Sequence, residues 1–152
     1  MIQFHIMDER EKERISAWAY EGAYKIYELP PYEEQKAKGM AFGNPERAKN
    51  YHAYYDGDLL IGFTNLMERG SEVQIGVGVA PDLCGRGYGQ QILLRAAELA
   101  HSLYPGKPLA LEVRTWNQRA VRCYEKAGFR IDGPPFEQQT AIGTGTFYRM
   151  VQ

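Results

Sequence analysis

Apolar and polar residues alternate over residues 3–7, and Asp8 stands where a helix N-cap belongs, so the chain is predicted to open with a strand and then a helix over 9–18. The stretch 19–41 breaks that regularity. Its four tyrosines are interrupted by Pro30 and Pro31 and followed by a short charged run, which predicts an irregular helical lid. Residues 51–55 and 59–66 are strand-like runs joined through Asp56-Gly57, a pair that suits the positive φ angles of a tight hairpin turn.

A clean alternation follows over 72–79. Val73, Ile75, Val77 and Val79 share one face, Gly76 and Gly78 the other, and Pro81 ends the run. Beyond a cluster of glycines, Ile92, Ala96, Leu99, Ala100 and Leu103 recur at helical spacing until Tyr104-Pro105-Gly106 closes the helix. Residues 109–113 read as a short buried strand, 117–127 as a second helix that Gly128 ends, and 147–151 as a last strand. Residues 133–145 read as a loop, either a flap over a substrate or a spacer. Strands and helices mixed in this order predict an α/β protein of the α+β kind, built on a mixed sheet.

Length and charge narrow the picture. The 152 residues suffice for one buried core, and 12% aromatic content argues against disorder, so one globular domain over 1–152 is expected. A net charge of -1 without a basic run offers no electrostatic footprint for nucleic acid or an anionic membrane surface, and neither is expected as a partner. Cys84 and Cys123 match no metal-ligand spacing and no disulfide framework, which predicts no metal site and a reducing compartment. The N-terminus turns acidic and polar after a few residues and no apolar run approaches a membrane span, so the expected location is cytoplasmic.

The chemistry concentrates at Cys84-Gly85-Arg86-Gly87-Tyr88-Gly89-Gln90, between a predicted strand and a helix N-terminus. Such a loop exposes backbone N–H groups at the positive end of the helix dipole, and Arg86 can add a charge-assisted contact to a phosphate. The glycines taken alone fit an anion cradle and an empty tight turn equally well. Neither rival phosphate loop fits: counted from Gly85, the third glycine of a dinucleotide fingerprint falls on Gln90, and the Gly-Lys-Ser/Thr of a Walker loop is missing.

The segment Val77-Gly78-Val79-Ala80-Pro81-Asp82-Leu83-Cys84-Gly85-Arg86-Gly87-Tyr88-Gly89 resembles the acetyl-coenzyme A motif of the GNAT superfamily of N-acetyltransferases, Arg/Gln-x-x-Gly-x-Gly/Ala. Cys84 departs from it, standing where Arg or Gln is usual. A second segment, Leu111-Glu112-Val113-Arg114-Thr115-Trp116-Asn117-Gln118-Arg119-Ala120-Val121-Arg122-Cys123-Tyr124-Glu125-Lys126-Ala127-Gly128-Phe129, is similar to the family's Asn-x-x-Ala-x-x-x-Tyr-x-x-x-Gly-Phe pattern, and resembles the ribosomal-protein N-terminal alanine acetyltransferases in particular. The resemblance implies a central, mostly antiparallel sheet with two splayed parallel strands and about four flanking helices. It also implies acetyl-coenzyme A as cosubstrate.

Roles follow residue by residue from that resemblance. Val77 and Val79 would offer backbone contacts to the pantetheine arm, Cys84 to Gln90 would hold the diphosphate, and Asn117 would contact the coenzyme. Tyr124 would protonate the departing thiolate, which a phenol can do. Glu112 would take the proton of the attacking amine, with Glu72, at the head of the preceding strand, as the second candidate base. From spacing alone, Asn117 reads equally as an N-cap, Thr115 and Gln118 as a capping box, Tyr124 as core, and either glutamate as a solvated strand end.

The acceptor would be a primary amine, on a small molecule or a protein N-terminus, and the resemblance leaves room for a homodimer. Trp18, Tyr20, Tyr24, Tyr27 and Tyr32 either line an acceptor pocket or pack helices. The alternative to an N-acetyltransferase is a coenzyme A-binding regulatory or interaction module without turnover, toward which the Cys84 departure points.

Overall fold

The alternating segments of the sequence become strands of one eight-stranded sheet in a computed structural model that describes residues 1–152. In chain order they are β1 (Ile2–Ile6), β2 (Tyr51–Asp56), β3 (Leu59–Arg69), β4 (Glu72–Val79), β5 (Leu109–Arg114), β6 (Arg130–Ile131), β7 (Phe136–Thr140) and β8 (Gly143–Val151). They lie in the order β1-β2-β3-β4-β5-β8-β6, with β7 also on β8. All neighbours are antiparallel except β4 and β5, which run parallel and therefore need a crossover. The four α-helices are α1 (Glu9–Ser16), α2 (Tyr32–Lys38), α3 (Tyr88–Leu103), which is that crossover, and α4 (Gln118–Lys126).

Two hydrophobic clusters occupy opposite sheet faces, as the period of two along β2 requires: Ala53 belongs to one and Tyr54 to the other. The larger is sealed by α3, whose Ile92, Leu93, Ala96, Ala97 and Ala100 are buried against β3 and β4. Each large aliphatic side chain buried there contributes roughly 1.5–3 kcal/mol. The smaller holds Met7, Ile15, Tyr32, Phe42 and Tyr51 under α1 and α2.

Local signals hold where their chemistry is strong. Asp8 caps α1, its side chain accepting from the Glu11 N–H at 2.8 Å while Glu11 accepts from the Asp8 N–H at 2.9 Å. Glu11 is itself buried, with His5 Nε2 2.6 Å away and the Tyr55 hydroxyl donating to it, so one carboxylate ties α1 to β1 and β2. Ligand-type atoms of His5, Asp8 and Glu11 lie within 4.8 Å of one another, a cluster the spacing did not suggest, but the cap and these contacts already engage both carboxylates. Gly57 has φ +61° in the predicted hairpin turn.

The irregular helical stretch expected over 19–41 is a 3-10 segment (Gly22–Tyr27) followed by the short charged α2, its prolines and glycines interrupting α-helical hydrogen bonding. Asn117 takes the N-cap reading, standing just ahead of α4. Two expectations are corrected. The helix over 9–18 stops at Ser16. Residues 133–145 are not one loop but mostly a hairpin: β7 pairs with β8 from Phe136↔Phe147 to Thr140↔Gly143. Its sequence, FEQQT, carries almost no apolar alternation, so only the partner strand reveals it.

Candidate active site

The parallel pair β4 and β5 is joined at only two positions, Val73↔Leu109 and Gln74↔Ala110. From Ile75 onward the β5-facing edge of β4 has no strand partner, and the gap opens into a cavity of about 470 Å³. Ile75 to Val79 form one wall and Leu111 to Arg114 the other; Gly85, Gly87, Gly89 and Gln90 lie at the α3 end, and Asn117 with Ala120, Cys123 and Tyr124 of α4 close it. Glycine is needed on this wall, since a Cβ on Gly78 would strike the Phe63 ring.

At the α3 end, Gly85 and Gly87 have φ of +80° and +84°. Gly87 is the α3 N-cap in the left-handed region and makes no side-chain cap, so the first N–H groups of a 16-residue helix stay open. Gly89 lets α3 approach α4, because a Cβ there would come within 2.9 Å of Cys123 Sγ. The Cys84 thiol, 3.6 Å from the Ala80 carbonyl, lies on the cavity wall, and burial pushes its pKa up. The Arg86 side chain is exposed and absent from the lining; Tyr88 turns away and donates to Asp56 Oδ2 at 2.7 Å.

Arg119, Arg122 and Lys126 of α4 also line the cavity, at spacing that puts them along one side of the helix. None is in an ion pair. Arg119 lies 4.1 Å over the Tyr24 ring. Three cations lining one cavity with open amides suit a polyanionic ligand better than a single phosphate. This row was in plain sight in the sequence, where helical spacing from Arg119 could have found it.

Asn117 is buried, with Oδ1 accepting from the Ala120 N–H at 3.2 Å and Nδ2 donating to the Tyr27 hydroxyl at 3.0 Å. Gln118 reaches the Thr115 carbonyl instead of forming a capping box. Tyr24, Tyr27 and Trp116 make an aromatic group beside it, and Tyr20 donates to the Val79 carbonyl at 2.7 Å. Of the five aromatics singled out, Tyr20, Tyr24 and Tyr27 reach the cavity, whereas Tyr32 is buried in the smaller cluster and Trp18 packs against both clusters. The Tyr124 hydroxyl has no hydrogen bond in the protein, and burial raises its pKa well above the ordinary phenol value.

The two candidate bases part company. Glu112 lines the cavity, and its Oε1 accepts from Gln74 Nε2 at 3.1 Å and from Gln138 Nε2 at 3.3 Å, the latter brought by β7. Glu72 is not in the lining. It is held in a bidentate pair with Arg149, both contacts 2.8 Å, which lowers its pKa.

The family model described as “Acetyltransferase (GNAT) family” matches residues 10–129. No curated protein sequence matches the chain. Among solved structures, the fold is similar to mutant forms of the spermidine/spermine N-acetyltransferase SpeG from Vibrio cholerae, at 17% identity and TM-score 0.76 over 100% of this chain and 94% of that one. It is similar as well to a GNAT-family acetyltransferase from Bacillus anthracis, at 13% identity and TM-score 0.79 over 99% and 93%. The ribosomal-protein-S18-alanine N-acetyltransferase from Escherichia coli aligns at 19% identity and TM-score 0.66 over 99% and 92%. A splayed β4–β5 gap, a left-handed glycine loop and a family match over most of its length place this chain in the GNAT family of acetyltransferases.

Proposed function

We propose that the protein transfers an acetyl group from acetyl-coenzyme A to a primary amine, with Glu112 and Tyr124 as base and acid. The observation that carries this reading is that one cavity is lined both by an open anion cradle and by these two proton-handling groups. Acetyl-coenzyme A fits the residues present: a diphosphate matches the amides from Gly85 to Gln90, further phosphate charge matches Arg119, Arg122 and Lys126, and an amide-bearing arm matches the strand-free β4 edge through Val77 and Val79, whose carbonyl also accepts from Tyr20. When bound it would supply an acetyl thioester. Arg86, pointing outward, would add charge at the rim, and Asn117 would orient the arm's inner end. Cys84 keeps its backbone in the cradle without the longer polar side chain usual there.

Glu112 receives the amine's proton at a carboxylate oriented by Gln74 and Gln138. Tyr124, kept protonated by burial, gives its hydroxyl proton to the sulfur as the C–N bond forms and the C–S bond breaks. The test is to incubate the protein with acetyl-coenzyme A and a panel of amines, following free thiol and product mass. Thiol release with a mass gain of one acetyl group is expected. Tight coenzyme binding without release across the panel would favour the regulatory module.

Glu72 contributes to stability in this reading, not to proton transfer. Its pKa is depressed by Arg149, so the pair stabilises the fold above the ordinary carboxylate range, and that contribution is lost as pH falls through the lowered value. Glu72→Gln is expected to cost about 0.5–1 kcal/mol at pH 7, discounted for solvent screening, with the penalty shrinking at acid pH and acetyl transfer retained. Thermal melts at pH 7 and pH 3 together with the thiol assay check this; a transfer rate falling as far as in Glu112→Gln would return Glu72 to the reaction.

A further inference from the structure

The Arg114 guanidinium lies on the cavity wall without a partner for its charge. It lies 4.8 Å over the Phe147 ring, and Gly145 makes room for it, since a Cβ there would collide with Arg114 Nη1. It takes part in no ion pair. Arg114 stands two residues beyond Glu112 on β5, so the two side chains leave the same face of the strand about 7 Å apart at their roots. A fork of N–H donors fixed in one plane suits the two oxygens of a carboxylate. The cavity is otherwise poor in negative charge: Glu112 is the one carboxylate among its lining residues, beside Arg114, Arg119, Arg122 and Lys126.

Resting on the acetyl-transfer reading above, we infer that the acceptor is an amine carrying a carboxylate a few bonds away, an amino acid or a close relative, with Arg114 binding the carboxylate while Glu112 faces the amine. A polyamine fits this lining poorly: with the coenzyme's phosphates on Arg119, Arg122 and Lys126, its second and third cations would meet Arg114 and find no carboxylate beyond Glu112. Arg114 is thus a specificity residue, and Phe147 and Gly145 set its pose.

The experiment compares free amino acids with their amides and their decarboxylated amines, with spermidine as the polycation arm and phosphoethanolamine as the phosphate arm, using thiol release and product mass. Free acids are expected to exceed their amides at least tenfold in kcat/KM. Arg114→Gln should collapse that ratio toward one, and Arg114→Lys should restore part of it. Fluorescence of Trp116, 6.1 Å from Tyr27 at the cavity, gives a binding readout without turnover: the free acid should perturb it in the parent and not in Arg114→Gln. Amides, phosphoethanolamine or spermidine turning over as well as free acids, or an unchanged ratio in a folded Arg114→Gln, overturns the inference and leaves acetyl transfer standing. No thiol release and no acetylated product with any amine of the panel overturns both.

Discussion

Glu112→Gln is expected to lower the rate of acetyl transfer by about 10²–10⁴-fold, and Tyr124→Phe by a similar factor, while both variants fold and bind coenzyme A. Glutamine keeps the shape of Glu112 and can still meet Gln74 and Gln138, but it cannot take a proton. Phenylalanine keeps the half-buried ring of Tyr124 and removes only a hydroxyl that has no protein partner, so little stability is at stake. The pH profile adds a sign. Burial raises the Tyr124 pKa, so the acid form persists and the parent should show no falling limb from this group below the ordinary phenol value of about 10. Rates in both variants that match the parent, measured with saturating acetyl-coenzyme A, would sink the pair as acid and base.

The second large effect belongs to the donor side. Gly87→Val is expected to weaken coenzyme A binding by 10-fold or more, with the fold retained. Gly87 holds φ +84° at the mouth of α3, where a β-branched residue is strained by about 1–3 kcal/mol, and relief of that strain would turn the first α3 amides away from a common focus. No atom lies within 4 Å of a Cβ there, so the penalty is conformational and falls on the ligand side. Gly57→Val is the matched control: it has the same left-handed backbone and equal space, but sits in the β2–β3 turn outside the cavity. Calorimetric titration with coenzyme A should separate the two. Equal affinities for the two variants would mean that the glycine loop is only a turn.

Much of the candidate site was legible because its chemistry is local. Glycines before a helix, an Asn-x-x-Ala-x-x-x-Tyr spacing and a Leu-Glu-Val-Arg strand are contiguous strings, and they alone marked the segments that line the cavity. The supporting contacts were not legible, because they span long sequence separations. Gln138 reaches Glu112 across 26 positions from a strand with no apolar alternation, and Tyr27 reaches Asn117 across 90. Glu72 and Glu112 looked alike on strand ends; a guanidinium 77 positions from Glu72 decides between their surroundings.

What the sequence by itself determined is the set of local geometries. The Asp8 cap, the Gly57 turn, the left-handed Gly85 and Gly87, and the alternation of β4 each follow from backbone sterics and near-neighbour hydrogen bonds. The tertiary structure alone decided the rest: how far β4 and β5 part after two residue pairs, which glutamate faces the gap, and that Arg114 lies unpaired between Phe147 and Gly145. Those outcomes depend on which surfaces are buried together, a balance over many distant contacts that no short stretch of the chain encodes.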